Sequence, residues 1–299
     1  MSLVIIGSVA FDTIETPAGK KERIVGGSAT YAALAASFFT RPGVVSVVGR
    51  DFPRSMIAAL REKGLDLRGL RVKAGKTFHW HGIYSQDTNI RTTLKTEMNV
   101  LADYRPVLTE PYRLADILFL SNLDPEVHPY VLQQMKKKPI LAMDTIRYWI
   151  ENKPEALLEA IQQVDILFVN DEECRLIARE FNLIKAGRSL KNSGPRFIIV
   201  KKGEHGALVF GKNFVFSVVA HPCEDVIDPT GAGDAFAGSF LGYLDSRGKF
   251  GQREIRKAAV YGNLVASLVI EDFGLAGLLK ATQLDLVERY RNFKKLVYF

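Results

Sequence analysis

The chain has 299 residues, 47% of them hydrophobic and 24% charged, enough apolar material for a large core and too much for a disordered or low-complexity protein. A balance of 40 basic against 33 acidic residues gives a net charge of +7, yet the basic runs are as short as Lys136–Lys138 and no zinc-finger, RNA-recognition or helix-turn-helix signature accompanies them. That excludes nucleic-acid binding as the main role and leaves an enzyme that handles anionic small molecules. Cys174 and Cys223 make no disulfide framework, Met1–Gly7 reads as a strand and not a signal peptide, and no apolar run approaches roughly 18 residues, so neither a secreted scaffold nor a membrane protein is expected; a cytoplasmic enzyme is.

Taken in chain order, Leu3–Ile6 is an apolar run ending in Gly7, the pattern of a buried strand that delivers Ser8–Asp12 into a site. Gly26 and Gly27 open a predicted helix over 28–39 that is dense in alanine. Val44–Val48 reads as a second buried strand, and Ser55–Lys63 as an amphipathic helix stopped by Gly64. From about 73 to 104 the character changes. Thr77, Phe78, Trp80, Ile83 and Tyr84 alternate with polar His79, His81, Asn89, Arg91 and Lys95, which predicts an antiparallel sheet with one wet face. Segments at about 12–24 and 74–104 are expected to form a small β-sheet lid.

Beyond Ala115, strand patterns at Ile117–Leu120, Ile140–Met143, Ile166–Val169, Phe197–Val200 and Ala207–Phe210 alternate with helical ones. Such βα repetition predicts an α/β fold, a doubly wound, mostly parallel sheet flanked by helices. Later helices are expected over 235–244, 255–270 and 282–293. With no internal repeat or low-complexity linker, 1–299 reads as a single domain carrying the lid.

The most informative string is Asp228-Pro229-Thr230-Gly231-Ala232-Gly233-Asp234-Ala235-Phe236. Small residues at 231–233 allow a tight turn, and the pattern after Asp234 starts a helix whose first amides and dipole favour an anion. A carboxylate beside such an anion hole can take the proton from an attacking hydroxyl while the amides of Gly231, Ala232 and Gly233 steady a phosphoryl group. The string resembles the C-terminal signature of the ribokinase family of carbohydrate kinases (pfkB type), and other family motifs follow in order along essentially the whole chain. The resemblance implies a ribokinase-like α/β core with a β-sheet lid, Asp234 as catalytic base, and ATP with Mg²⁺.

It also implies roles for the remaining motifs. Asp12 would accept hydrogen bonds from two substrate hydroxyls, beside Gly26 and Gly27 of the substrate motif. Tyr31 stands where many members carry Asn, which hints at a different substrate. Gly49-Arg50-Asp51 is read as structural or as a minor substrate contact. Asn170 and Glu173 would orient hydrated Mg²⁺, although the same residues suit a capped acidic helix start. Lys201 replaces a family Thr in the nucleotide loop with Gly203 and Gly206, and reaches either a phosphate or solvent. Thr230 and Asn263 would lie beside the nucleotide. Asp228 with Thr230 matches positions near a monovalent cation such as K⁺. Arg147, after Asp144, would steady phosphate or form a structural ion pair.

The expected activity is transfer of the ATP γ-phosphate to a hydroxyl, a primary one in most of the family, of a small sugar or, as the alternative, a nucleoside. Tyr31, Trp80 and Tyr84 suit a base, a sugar face or lid packing alike, and the preference is for a sugar. A non-catalytic sensor on the same fold is weighed against by the presence of Asp234, Asn170 and Glu173 together. A dinucleotide oxidoreductase would carry Gly-x-Gly-x-x-Gly after the first strand, where Gly7 stands alone. Pairing of two copies through the lid is plausible, since an exposed sheet needs its edges covered.

Overall fold

The structure, a computed structural model, describes residues 2–298. Its strands are β1 (Leu3–Ile6), β2 (Ala10–Thr16), β3 (Gly19–Gly26), β4 (Gly43–Gly49), β5 (Asp66–Lys73), β6 (His79–Tyr84), β7 (Arg91–Glu97), β8 (Ile117–Leu120), β9 (Ile140–Asp144), β10 (Ile166–Asn170), β11 (Phe197–Lys201), β12 (Ala207–Gly211) and β13 (Phe214–Val218). Nine form one sheet in the order β13-β12-β11-β10-β9-β8-β1-β4-β5, and β3-β2-β6-β7 form a second. The large sheet is parallel from β5 to β11; β12 and β13 join antiparallel at its edge.

Alternation within each strand divides the interior in two. Leu3 and Ile5 of β1 pack with Phe119, Phe168 and Ile199 against one helical layer, while Val4 and Ile6 pack with Leu118, Leu167 and Ile198 against the other. A sheet buried on both faces explains why its central strands are unbroken apolar runs. Chain order runs outward from β1 to β4 and β5, then returns to β8 on the opposite side, so the carboxyl ends of β1 and β8 flank a topological switch point, the usual ligand crevice of such sheets.

Two helices seat the crevice. The helix Ser28–Ala36 is buried at every position and packs along the helix Ala232–Arg247. Their contact is backbone to backbone: a Cβ on Gly238 would collide with the Ala32 carbonyl, and one on Gly242 would stand 2.8 Å from Ala36 Cα. That close approach is what the alanines and glycines of both helices are for.

Three expectations change. The lid is not wholly antiparallel, because β2 pairs β6 in parallel while β3 and β7 pair antiparallel. The chain leaves the lid after β3, builds β4 and β5 in the large sheet, and returns; a crossover of that kind delivers a parallel strand, which a hairpin cannot. Strands β5 and β13 escaped the sequence pattern. They are the two edges of the large sheet, and their mixed burial breaks the apolar run. The helix expected from 235 begins at Ala232, which brings Asp234 into its first turn, and the one expected to 39 ends at Ala36.

Candidate active site

Gly231 has φ 79° and caps the helix Ala232–Arg247 without any side-chain hydrogen bond. A Cβ there would run into the Tyr31 ring, so this turn requires glycine for conformation and for space. The Ala235 amide closes the first turn onto the Gly231 carbonyl at 2.8 Å, and the Ala232 amide donates to the Pro229 carbonyl at 3.2 Å. Ala232 is therefore already engaged. The amides with no preceding helical carbonyl to bind are those of Gly233 and Asp234, next to Gly231. Of the three amides expected to form an anion hole, at Gly231, Ala232 and Gly233, that of Ala232 is occupied, and that of Asp234 is free in its stead.

Asp228 laces this turn to its surroundings. One of its carboxylate oxygens accepts from the Thr230 amide at 2.8 Å and the other from the Gly274 amide at 2.8 Å. Thr230 Oγ1 donates to the Tyr84 hydroxyl at 3.1 Å, a direct link from the turn to the lid.

On the acceptor side, Asp12 is buried on β2, and its carboxylate fills the space above Gly26 that a side chain there would occupy. The glycine makes room for the aspartate and not for the ligand directly. The space above Gly27 is taken by the Ser8 carbonyl, so Gly27 serves the packing of loop on helix. Tyr31 is buried under the turn, 1% exposed, with no hydrogen-bond partner for its hydroxyl among the described residues. Its ring packs against Gly231 and does not offer a face to a ligand. Asp51 accepts from the Thr77 amide at 2.8 Å and pairs with Arg23 at 3.2 Å, an anchor for the base of the lid.

On the opposite side, Asn170 and Glu173 form a reciprocal capping box at the head of the helix Asp171–Ala178: Glu173 N donates to Asn170 Oδ1 at 2.7 Å and Asn170 N to Glu173 Oε2 at 2.8 Å. The capped acidic helix start is thus what the structure shows for this motif. Lys201, the last residue of β11, turns inward. Its Nζ lies 3.5 Å from Asp144 Oδ2 and donates to the Gly233 carbonyl at 3.5 Å. Asp144 enters the cleft, whereas Arg147 stays outside it, paired with Glu151 at 2.6 Å and Glu172 at 2.8 Å. Gly203 and Gly206 bound a short turn at the rim, and a Cβ on Gly203 would strike Asn89 of the lid hairpin. Asn263, on the helix Gln252–Val269, accepts from the His221 amide at 3.3 Å and leaves its buried Nδ2 unpartnered.

Four carboxylates converge here, and the electrostatics record the crowding. Burial raises Asp234 to about 7, with the charges of Asp144 and Glu173 adding and those of Lys201 and Arg91 opposing. Burial likewise raises Asp12 to about 7, helped by Asp228 and Asp234. Glu173 rises to about 7, mainly from burial. Asp144 is raised by burial and held back by Lys201. Acids poised near neutrality in a cleft are suited to proton transfer.

Among the described residues no cluster of three or more metal-ligating side chains occurs, and no helix is long and apolar enough to cross a membrane. The capping box uses one Glu173 oxygen and leaves the other, which fits a Mg²⁺ that keeps most of its waters and takes its remaining ligands from phosphate. Arg91 is the residue the sequence did not single out. It belonged to a polar alternation, and only the cross-strand pairing that sets it opposite Tyr84 brings it to the cleft.

A doubly wound sheet, a lid and an acid in a glycine-rich helix start define a kinase of small hydroxylated molecules. The profile of the pfkB family carbohydrate kinases matches residues 2–281, and the chain belongs to that family, whose members transfer a phosphoryl group to a hydroxyl acceptor. It is 32% identical to the cytidine kinase of Thermococcus kodakarensis over 255 residues, covering 83% of this chain and 90% of that one. In fold it is similar to the nucleoside kinase of Methanocaldococcus jannaschii, with a TM-score of 0.77 at 21% identity over 98% and 99% of the two chains. The fructokinase of Vibrio cholerae O395, crystallised with fructose, ADP and a calcium ion, gives a TM-score of 0.80 at 20% identity over 96% and 98%.

Proposed function

We propose that this chain is an ATP-dependent nucleoside kinase that phosphorylates the primary hydroxyl of a ribonucleoside. The observation that carries the reading is the pairing of Asp12 with Trp80. They are direct neighbours across parallel β2 and β6, on the face of the lid sheet that looks into the cleft. Trp80 lies across Gly82, where any side chain would strike its ring, and its indole N–H donates to Thr93 Oγ1 at 3.2 Å. A carboxylate for the ribose hydroxyls thus stands beside a held aromatic surface of the size of a base. The likeness to a cytidine kinase, and to nucleoside kinases of Methanocaldococcus jannaschii and Methanothermobacter thermautotrophicus, supports the nucleoside over the free sugar that the sequence reading preferred.

In this reading Asp12 orients the acceptor so that its hydroxyl faces Asp234, which accepts the proton in its ionised form. The amides of Gly231, Gly233 and Asp234, with Lys201, receive the phosphate charge. Asn170 and Glu173 would hold Mg²⁺, which when bound would neutralise charge on the phosphates. Gly203, Gly206, Thr230 and Asn263 border the nucleotide, the free Nδ2 of Asn263 being a ready donor. Each Asp228 oxygen accepts one amide and keeps a further lone pair, so the residue could still lend its charge to a monovalent cation such as K⁺ beside the turn.

The test is ADP release from Mg·ATP with cytidine, uridine, adenosine and inosine against ribose, fructose and glucose. Turnover of a ribonucleoside to its 5′-monophosphate is expected. Turnover of a free sugar with none of any nucleoside would overturn the reading.

A further inference from the structure

We infer that Arg91 is a catalytic residue carried by the lid, its guanidinium contacting the phosphoryl group as it passes from ATP to the acceptor. The inference rests on the kinase reading of this cleft and adds to it a group that the sequence motifs do not contain.

Position comes first. Arg91 opens β7 immediately after the hairpin 85–90 and pairs with Tyr84 on β6. The Tyr84 hydroxyl is bonded to Thr230, the residue before the anion-binding turn, so the strand register carries Arg91 to the same place. Orientation follows from the face it occupies. Residues paired across a sheet point the same way, and Arg91, Tyr84, Gly82, Trp80 and Asp12 fall on one face. The guanidinium carbon of Arg91 sits 5.3 Å from the centroid of the Trp80 ring, which Thr93 and Gly82 hold in turn. Contact with the indole keeps the arginine over the cleft.

Charge balance supplies the third argument. Lys201 shares its charge with Asp144 at 3.5 Å, while Arg91 forms no ion pair among the described residues. Its field nonetheless lowers the proton affinity of Asp12 on the acceptor side and of Asp234 beside the phosphate turn. A cation felt from both sides lies between the two substrates. At the tip of the same hairpin, Asn89 sits against Gly203 of the nucleotide rim, so the lid segment bearing Arg91 spans the cleft from acceptor to donor.

In the transfer, the acceptor oxygen bonds to the γ-phosphorus while the bond from that phosphorus to the bridging oxygen breaks. The hydroxyl proton goes to Asp234, and the electron pair of the broken bond leaves with ADP. Midway, charge is spread over three equatorial oxygens and builds on the leaving oxygen, an array to which a planar guanidinium offers several donors at once. A lysine at the same place supplies charge without that geometry.

The experiment compares wild type with Arg91→Ala and Arg91→Lys. With the acceptor found above, Arg91→Ala is expected to lower kcat on the order of 10²–10³-fold, the scale of one lost transition-state donor, with both KM values within roughly threefold, and Arg91→Lys to fall between. The second readout needs no acceptor turnover: Mg·ADP binding with and without aluminium fluoride, followed by tryptophan fluorescence. Wild type should bind the planar fluoride complex more tightly than Mg·ADP alone, and Arg91→Ala should lose that gain while keeping its ADP affinity. An unchanged gain in Arg91→Ala, or an effect on KM alone, overturns the inference. If wild type turns over no nucleoside, the nucleoside reading fails, and the fluoride measurement still decides the role of Arg91.

Discussion

In the nine-stranded sheet, β8 and β10 are buried along almost their whole length, and helices cover both faces. In the four-stranded lid, β7 is exposed at six of its seven positions. The lid is tied together by polar contacts: His79 bridges Thr13 at 2.8 Å and Glu97 at 3.0 Å, and His81 meets Glu15 at 2.8 Å. Apolar burial is stiff and insensitive to salt, whereas half-exposed polar ties are individually weak. The contrast divides the labour of the site. Asp234, its turn, Glu173 and Lys201 stand on the packed sheet, as groups needing fixed geometry should. Asp12, Trp80, Tyr84 and Arg91 stand on the sheet with the looser, more exposed ties.

The sharpest break of this contrast removes the base. Asp234→Asn is expected to lower kcat on the order of 10²–10⁴-fold, measured as ADP release under saturating substrates. The same change should raise the melting temperature of the unliganded chain at pH 8. Burial raises the folded pKa of Asp234 to about 7, above that of the unfolded chain, so its contribution to stability falls as pH rises from roughly 4 to 7. An uncharged amide escapes that loss. A lower melting temperature in Asp234→Asn would show that the carboxylate is stabilised by its surroundings after all.

The pH profile is the next effect in size. A base with a pKa near 7 must be ionised to act, so kcat/KM should climb about tenfold per unit below that value and level off above it. A plateau that reaches down to pH 5 would mean that the cleft, once filled, no longer raises Asp234.

Trp80→Ala probes the lid alone. It should raise the nucleoside KM by roughly 5- to 150-fold, the equivalent of about 1–3 kcal/mol for a stacked base, and lower kcat as well, because the indole holds Arg91 over the cleft. An unchanged kcat would mean that Arg91 keeps its place without the indole.

The smaller effects are on stability, and they should differ between the regions. Gly238→Ala forces a Cβ into the Ala32 carbonyl between two packed helices and should cost about 1–3 kcal/mol, visible as a lowered denaturation midpoint. Glu97→Gln, which weakens the His79 tie at the half-exposed edge of the lid, should move the midpoint far less. Equal losses at the two positions would contradict the division between a packed floor and an adjustable cover.

Much of the floor was legible because it is local. Buried parallel strands are unbroken apolar runs, and the string Asp228–Phe236 carries its turn, its helix start and its acid within nine consecutive positions. Hence the doubly wound sheet, the lid segments and Asp234 could all be read in one dimension. What could not be read depends on partners far away along the chain. The edge strands β5 and β13 lack a clean pattern because one side of each faces solvent. Gly26 looked like a ligand contact until Asp12 was seen above it. Lys201 was open to phosphate or solvent until its distance to Asp144 chose the interior.

Arg91 marks the limit most clearly. Along the chain it is one more polar residue in an alternating segment, and nothing local separates it from Lys95. Its place over the cleft follows from parallel pairing of β2 with β6, antiparallel pairing of β6 with β7, and the Tyr84–Thr230 bond that joins lid to floor. Local backbone preference and burial pattern are properties of a stretch of sequence, so composition and motif determined the fold class and the glycine-rich shape of the turn. Which charge faces which across the cleft is set by sheet register and by the docking of one sheet over the other, and those are decided only when the whole chain has packed.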